Sequence, residues 1–402
     1  MMMKALALSL ALASAARAQA PSSAYPHANE PIGTVRQSYD GALTQEMAVN
    51  TFRNIDRLFP TRRVLRSAKP LALPPAATTL TSVTFTDKET QYGLEEFLAL
   101  NRVTGLLILH DGRVKMERYL LGNTERTRWM SMSIAKSVTS TLIGAAVKQG
   151  KLSLNDQVTK HVPALVGSAY DGATVRDVLM MSSGVRWTET YTNPASDRRR
   201  LLEAQISQVP GSALAVMQAL PRAAEPGTRN TYNTGETQVA SEILRSAVGR
   251  PAAAYLAERI WSRVGMEADA LWWLDSPNGV EIGGSGLSAT LRDYGRFGLF
   301  VLNEGVIGTD SILPSGWVAE ATSPKVLRGG QPLNYGYLWW TPTTSDGRRD
   351  HAFSAEGIHG QFIYINPGAK VVIVVWSAQP RPTGGAVIDE WAFFEAVVAA
   401  LK

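Results

Sequence analysis

A serine and a lysine stand three residues apart at the start of an apolar segment, in the stretch RWMSMSIAKSVTS from Arg128 to Ser140. Residues three apart share one face of a helix, so Ser133 and Lys136 are predicted to lie side by side, one turn apart. A serine hydroxyl becomes a strong nucleophile when a neighbouring base removes its proton. Lysine can be that base where burial lowers the pKa of its amine, and a helix N-terminus favours the neutral amine further. The pattern alone also fits a capping serine followed by an exposed lysine.

The helix that would carry this pair is indicated by apolar residues at helical spacing. Ile134, Val138 and Leu142 predict a helix from about Ser133 to Gln149, ended by Gly150. Its other face carries a stripe of small polar residues with the lysine among them. That stripe is predicted to let another segment of the chain pack close to Lys136.

Strand patterns flank this helix at both ends of the sequence. Leu106 to Leu109 and Val114 to Leu120 are predicted strands around an Asp111-Gly112 turn, and helices are predicted over Met47 to Phe59 and Leu94 to Leu100. Near the C-terminus, strands are predicted over Tyr335 to Trp340, Gln361 to Asn366 and Lys370 to Trp376, and a helix over Ala386 to Leu401. The middle is mostly helical. We therefore predict an α+β fold, in which an antiparallel sheet built from N- and C-terminal segments is flanked by helices and joined to a mostly helical lobe over about 150–291.

The N-terminal stretch MMMKALALSLALASAARAQA has a basic residue at Lys4, an apolar run from Ala5 to Ala13, and small residues at Ala16 and Ala18. This pattern predicts a secretory signal peptide over residues 1–18, and therefore a periplasmic or secreted protein. The apolar run is too short to span a bilayer, and no later run predicts a membrane span. A buried or amphipathic N-terminal helix is the alternative. Residues 19–91 are predicted to form a leader and helix, loose from Pro21 to about Val35, and residues 92–402 a catalytic domain.

Composition excludes several other classes. The 402 residues are 45% hydrophobic and 19% charged, which indicates a folded core. The absence of cysteine excludes thiol nucleophiles and zinc–thiolate sites. The net charge of +5 is modest, and its densest run, Arg198 to Arg200, is predicted to be a solvated face, so no nucleic-acid partner is expected. The five histidines have no H-E-x-x-H spacing, and G-x-S-x-G is absent, so neither a metal, a cofactor nor a Ser-His-Asp triad is indicated.

Several segments together resemble the serine β-lactamase and penicillin-binding superfamily, with the class C-like branch and its esterase and 6-aminohexanoate-dimer hydrolase relatives nearest. The resemblance begins at about Tyr92 and runs to the C-terminus. The segments that carry it are LLILHDGRVKMERYLLGNTERTRWMSMSIAKSVTS, TVRDVLMMSSGVRWTETY, GGSGLSATLRDYGRFG, YGYLWW and HGQFIYINP. The resemblance implies a β-lactamase-like fold with Ser133 as the nucleophile and Lys136 as its partner.

The second motif of that superfamily is Y-x-N, or Y-x-S and Y-x-T in esterase-like branches. Here NTYNTGETQVASEIL offers Tyr232, followed by a helix that Asn233 caps with Glu236 three residues on. A tyrosine beside the lysine could share a proton with it and relay that proton to the leaving group. The other register puts Thr231 in the tyrosine position, and a half-buried structural tyrosine is a further alternative.

The third motif, K-T-G or H-T-G, is where this sequence departs from the superfamily. The matching segment offers Ala355-Glu356-Gly357, with neither lysine nor histidine in first position, or Ser354-Ala355-Glu356 in another register. The resemblance implies that those missing side chains hold the carboxylate of penicillins and peptidoglycan. It also implies an oxyanion hole made by the amides of Ser133 and Ile358, with Gly357 the other candidate.

Substrate-binding residues are expected among aromatic residues and Gly357. Tyr191 matches a loop tyrosine that closes over the substrate in 6-aminohexanoate-dimer hydrolases. Trp187, Trp339 and Trp340 could line an apolar acyl pocket, with core packing as the alternative for each.

We therefore expect a secreted serine hydrolase of the S-x-x-K / Y-x-N type that cleaves carboxylic esters or small amides through an acyl-enzyme on Ser133. The alternatives are a β-lactamase or peptidoglycan DD-peptidase, and a non-catalytic sensor that keeps the pocket. The expected partner is a small ester or amide. The sequence leaves the oligomeric state, the natural substrate and the choice of Lys136 or Tyr232 as the operative base undetermined.

Overall fold

A computed structural model describes residues 25–402, so the predicted signal peptide lies outside the described residues. The described strands are β1 Thr61–Val64, β2 Thr84–Asp87, β3 Thr90–Gly93, β4 Val103–His110, β5 Arg113–Tyr119, β6 Arg128–Met130, β7 Ala270–Trp273, β8 Leu287–Thr290, β9 Val306–Ile307, β10 Asp310–Ser311, β11 Lys325–Val326, β12 Pro332–Leu333, β13 Phe353–Gly357, β14 Gln361–Asn366 and β15 Val371–Ser377.

The described α-helices are α1 Val35–Asp40, α2 Gln45–Phe52, α3 Leu94–Leu100, α4 Ile134–Lys148, α5 Val158–His161, α6 Val175–Leu179, α7 Asp197–Ser207, α8 Ser212–Gln218, α9 Thr234–Val248, α10 Ala252–Leu256, α11 Ser262–Val264, α12 Leu291–Leu302, α13 Trp317–Thr322, α14 Ser345–Arg349 and α15 Glu390–Leu401. Short 3₁₀ turns cover Ile55–Arg57 and Pro163–Leu165, and a π-turn covers Ala257–Trp261. Within residues 25–402, none of the helices is both long and apolar enough to cross a membrane.

The main sheet joins both ends of the chain, as predicted. Its five antiparallel strands lie in the order β13-β14-β15-β4-β5, so the N-terminal hairpin β4–β5 pairs with the C-terminal hairpin β14–β15. Leu107 and Leu109 of β4 pack in one core with α4 and α12. Leu106 and Ile108 point the other way, into a second core with α3 and α15. The predicted α+β fold is therefore confirmed, and β4 is apolar from Leu106 to Leu109 because both of its faces are covered.

A smaller antiparallel sheet, in the order β1-β7-β8-β6, leads into the helical lobe. The lobe predicted over 150–291 contains the helices α5 to α11 joined by long loops, and it also contributes β7 and β8, two strands of this sheet. Its first strand, β1, comes from the segment predicted as leader and helix, and pairs with β7 from Thr61↔Trp273 to Val64↔Ala270.

The predicted loose leader is instead packed from Tyr25 onwards. His27 is buried, with its Nε2 2.8 Å from Thr127 Oγ1. Glu30 accepts two hydrogen bonds of 2.7 Å from the guanidinium of Arg53. Turn-rich composition suggested looseness, but long-range polar contacts hold this segment, and local sequence cannot show them.

Three other predicted elements differ in the structure. The helix predicted over Met47 to Phe59 is α2, Gln45–Phe52, followed by the separate 3₁₀ turn Ile55–Arg57. The stretch Tyr335 to Trp340 is not a strand, because Tyr335 bridges back to Trp340 around Leu338, whose φ is +59°. The C-terminal helix begins at Glu390 rather than at Ala386. Asp389 caps this helix by accepting a hydrogen bond from the Trp391 amide.

The arginine run predicted to be a solvated face lies on α7 and is mostly buried. Arg198 is 1% exposed and Arg199 5% exposed. Arg198 donates to the Tyr39 hydroxyl, and Arg199 Nη1 lies 2.5 Å from Asp40 Oδ1. Two of the three charges therefore attach α7 to the N-terminal helix α1 instead of facing water.

The second core gives a stability prediction. Phe393 is fully buried and stacks on Phe97 with ring centroids 3.8 Å apart. Phe393→Ala is expected to lower the free energy of unfolding by about 3–5 kcal/mol, because it removes apolar contacts and leaves a cavity. Chemical denaturation monitored by circular dichroism measures this. The control Val387→Ala, at a side chain 52% exposed, is expected to change it by less than about 0.5 kcal/mol.

Candidate active site

Ser133 lies at the junction of β6 and α4, where it is the N-cap residue of the helix and 8% exposed. The residue before it, Met132, has a φ of +41°, which is rare for a side chain of this size. Ser131 is anchored at the same turn, since its hydroxyl donates to Met132 O (3.0 Å) and accepts from the Leu287 amide (3.1 Å). A strained, anchored turn therefore holds Ser133 at the positive end of a fifteen-residue helix.

The amine of Lys136 is in contact with the Ser133 hydroxyl, as the helical spacing predicted. Its Nζ lies 2.7 Å from Ser133 Oγ and donates to Gly284 O at 3.0 Å, and the side chain is 1% exposed. Burial lowers the pKa of Lys136 to about 7, with Glu189 raising it and Arg198 lowering it by smaller amounts. Near neutral pH a large fraction of this amine is uncharged and can accept a proton.

Gly283 and Gly284 pack over Lys136, against the stripe of small polar residues on α4. Thr139 Oγ1 donates to Gly283 O at 3.0 Å, alongside the Lys136 contact to Gly284. A Cβ at position 284 would lie 2.2 Å from Thr237 Oγ1 and 3.4 Å from Lys136 Nζ, so only glycine lets the backbone approach so closely. The predicted close packing on this stripe is confirmed.

Tyr232, just before the start of α9, lies beside Ser133 and Lys136. Its ring centroid lies 5.4 Å from Lys136 Nζ, and its hydroxyl is close enough to Ser133 for that serine to stabilise a phenolate. Burial nevertheless raises the pKa of Tyr232 well above its usual value, so the phenol stays protonated and can donate. Asn233 caps α9 by accepting from the Glu236 amide at 3.2 Å. Of the two registers considered, the one with Tyr232 therefore brings a phenol to the serine.

The edge strand β13 passes directly beside the turn that carries Ser133. A Cβ at Gly357 would lie 2.5 Å from Ser131 O and 3.1 Å from Met132 Cβ, so this glycine allows the two segments to touch. Across the described residues, neither the Ser133 amide nor the Ile358 amide donates a backbone hydrogen bond. Both amides therefore remain available to a ligand.

A cleft of about 370 Å³ opens in front of Ser133. Its wall includes Tyr191, Tyr232, Trp340, Gly357 and Ile358. Trp340 stacks on Tyr232 with ring centroids 5.5 Å apart and an angle of 23° between the rings. Trp339 is instead a core residue, packed against Phe353.

Trp187 does not line the cleft, although the sequence placed it among the substrate-binding residues. It is 6% exposed, and its indole Nε1 donates to Glu189 Oε2 at 2.5 Å. Glu189 also accepts from the Thr234 amide at 2.9 Å and from the Thr234 hydroxyl at 2.5 Å. Trp187 thus orients a carboxylate that fixes the first turn of α9, just after Tyr232.

Sequence reasoning missed Glu189, and also Arg198, whose Nε lies 3.9 Å from Glu189 Oε1. Nothing in the segment WTETY shows whether the Glu189 carboxylate is buried or lies exposed in a loop. The reason is that Thr234, which donates hydrogen bonds to Glu189, comes much later in the chain. It also missed Glu390, which lines the cleft from the start of α15.

Comparison with known proteins shows which family and which relatives this chain resembles. The family model described as Beta-lactamase matches residues 96–397. A 6-aminohexanoate-dimer hydrolase from Paenarthrobacter ureafaciens is 29% identical over 304 residues, which cover 72% of this chain and 76% of that protein.

Two solved structures share the fold. A Bacillus anthracis protein provisionally named as a 6-aminohexanoate-dimer hydrolase superposes with a TM-score of 0.80 at 24% identity, over 92% of this chain and 98% of its own. EstCE1, a hydrolase with promiscuous acyltransferase activity, superposes with a TM-score of 0.57 at 15% identity, over 76% of this chain and 95% of its own.

The lowered pKa of Lys136 gives a pH prediction. Its amine is protonated below about pH 7 and neutral above it, and only the neutral form can take the Ser133 proton. The rate of covalent labelling of Ser133 by a fluorophosphonate is therefore expected to rise with pH through about 7 and then level off. A rate that is flat from pH 5 to 9, or that rises only near the ordinary lysine pKa of about 10.4, would contradict this assignment.

Proposed function

Because the chain belongs to the beta-lactamase family, we propose that it is an exported serine hydrolase that cleaves carboxylic esters or small amides through an acyl-enzyme on Ser133. The observation that carries this proposal is the 2.7 Å contact between Ser133 Oγ and a buried lysine amine whose pKa is about 7. A charged lysine in water could not remove the serine proton, whereas this one is poised to do so.

The proposed reaction has two steps. In the first, Ser133 Oγ attacks the substrate carbonyl while the coupled pair of Lys136 and Tyr232 takes its proton. The amides of Ser133 and Ile358 stabilise the oxyanion of the tetrahedral intermediate. The pair then protonates the leaving alcohol or amine as the carbonyl–oxygen or carbonyl–nitrogen bond breaks, and water clears the acyl group from Ser133. The contact of Lys136 with Ser133 favours lysine as the first acceptor, and the protonated phenol of Tyr232 suits donation to the leaving group.

The size and lining of the cleft and the activities of the relatives support the proposed class of substrate. A 370 Å³ cleft with Tyr191, Tyr232 and Trp340 in its wall suits a small, flexible acyl chain. The 6-aminohexanoate-dimer hydrolase relative makes linear amides candidates, and EstCE1 makes esters candidates. Tyr191, which lines the cleft, is proposed to cover the bound substrate.

The alternatives account less well for the site. A β-lactamase or DD-peptidase would need a cation to hold the substrate carboxylate, and β13 presents Glu356 where the motif has its polar residues. A non-catalytic sensor has no use for a buried lysine with a lowered pKa, because keeping such a group costs stability. The signal-peptide pattern over residues 1–18 supports a periplasmic or secreted location.

Removal of the nucleophile tests the proposal. Ser133→Ala is expected to lower ester turnover about 10³-fold or more, because the acyl-enzyme can no longer form. The matched control is Ser207→Ala, at an exposed serine on α7 away from the cleft, which is expected to retain full turnover. Near-normal activity of Ser133→Ala, with folding verified by circular dichroism, would refute the assignment.

Active-site labelling and a substrate profile complete the test. A fluorophosphonate is expected to label Ser133 and not Ser131, whose hydroxyl is buried and already bonded twice. Short nitrophenyl esters or linear amide dimers are expected to be turned over faster than nitrocefin, because none of the described residues that line the cleft is a cation that could hold a β-lactam carboxylate. A preference for nitrocefin would instead establish the lactamase alternative.

A further inference from the structure

The charges in the wall of the cleft are all of one sign. Three carboxylates line it, those of Glu189, Glu356 and Glu390, and none of the described residues in the wall is lysine, arginine or histidine. Lys136 lies behind Ser133 and does not form part of the wall. A substrate entering the cleft therefore meets carboxyl groups and, among the described residues of the wall, no cationic side chain.

Glu189 is fully engaged with its surroundings, as described above, but Glu356 is not. Glu356 Oε1 accepts from Ser354 Oγ at 2.6 Å and from Trp391 Nε1 at 3.1 Å. Its Oε2 accepts no hydrogen bond from the described residues. The two donors hold the carboxylate in one orientation, and its second oxygen is left without a donor among the described residues of the cleft wall.

Glu390 stands beside it at the first position of α15. Its Oε1 accepts from Gln379 Nε2 at 2.7 Å. Burial raises the pKa of Glu390 to about 7, and the nearby charge of Glu356 adds to this. Burial likewise raises the pKa of Glu356. Two neighbouring carboxylates without a counter-ion are unfavourable in a partly dry cleft, and a bound cation would remove that cost.

Aromatic rings complete the surroundings of these carboxylates. Tyr191, Tyr232 and Trp340 line the same cleft, and Trp340 bridges to Ser354, two residues before Glu356 on β13. The faces of such rings attract cations, most strongly when water is excluded. Carboxylates and aromatic faces in one cleft suit an alkylammonium group.

We propose that Glu356 and Glu390 determine substrate specificity by binding a positively charged group of the ester or amide, such as an alkylammonium. This inference rests on the proposed function, because it concerns the same cleft and the same scissile bond. It places a carboxylate at the second position of the β13 segment that matches the related enzymes' K-T-G or H-T-G motif, next to the position where those enzymes present a cation. The cleft should accordingly reject substrates that carry a carboxylate near the scissile carbonyl.

Isosteric pairs of esters test the proposal directly. Choline butyrate is compared with 3,3-dimethylbutyl butyrate, and the nitrophenyl ester of 4-(trimethylammonio)butanoate with that of 5,5-dimethylhexanoate, so that only the charge differs. At about pH 8, above the pKa of Glu390 of about 7, kcat/KM is expected to be about tenfold higher for the cationic member of at least one pair. The two pairs distinguish a cation on the alcohol side from one on the acyl side.

Variants connect the preference to the two residues. Glu356→Gln and Glu390→Gln are each expected to lower the ratio of cationic to neutral kcat/KM about threefold or more, whatever happens to the absolute rates. The control Glu225→Gln removes the same charge at a side chain 79% exposed and outside the cleft, and is expected to leave the ratio unchanged. A ratio that survives both cleft substitutions would overturn the proposal.

The unmodified protein supplies a measurement that needs no variant. Added salt is expected to lower kcat/KM for the cationic ester more steeply than for its neutral isostere. Turnover of neutral esters with no cationic preference would overturn this inference and leave the proposed function standing. Absence of all ester and amide turnover, together with no fluorophosphonate labelling, would overturn both.

Discussion

The contact between an amine and a hydroxyl in a dry environment is the constraint on which the rest of this structure depends. In the proposed reaction, Lys136 can take the Ser133 proton only while its amine is uncharged, and burial lowers the pKa of that amine. An uncharged amine still requires polar partners, and Gly284 O and Ser133 Oγ supply them. The small residues of α4 and the glycines above it are consequences of that requirement, because larger side chains would separate the partners.

Segments far from Ser133 also contribute to the surroundings in which the Lys136 amine is buried. Glu189 fixes the first turn of α9, and with it Tyr232, while Arg198 places a positive charge close to that carboxylate. Arg198 in turn donates to Tyr39 on α1. The N-terminal segment thus contributes to the electrostatic surroundings of Lys136, although it precedes the region that the family model matches.

In the proposed function, membership of the beta-lactamase family supports the type of reaction, and the side chains of the cleft wall select the substrate. The proposed oxyanion hole uses backbone amides, so β13 can take that role with almost any side chains at positions 355 and 356. The side chains of this strand are consequently free to determine specificity. In the proposed specificity, a carboxylate at Glu356, with no cation at position 355, changes the sign of the group that the cleft can hold without disturbing Ser133.

The sequence by itself determined what depends on local spacing. It placed Ser133 and Lys136 on one turn of a helix, predicted the two hairpins of the main sheet, and singled out Tyr232, because periodicity and capping are properties of neighbouring residues. Only the tertiary structure decided which charges are buried and which distant groups meet. The pairing of Glu189 with Thr234, the burial of Arg198, and the return of Trp340 towards the cleft rather than into a strand depend on contacts between residues far apart in the chain. Such contacts leave no periodic signal, since burial of a polar residue depends on what packs over it.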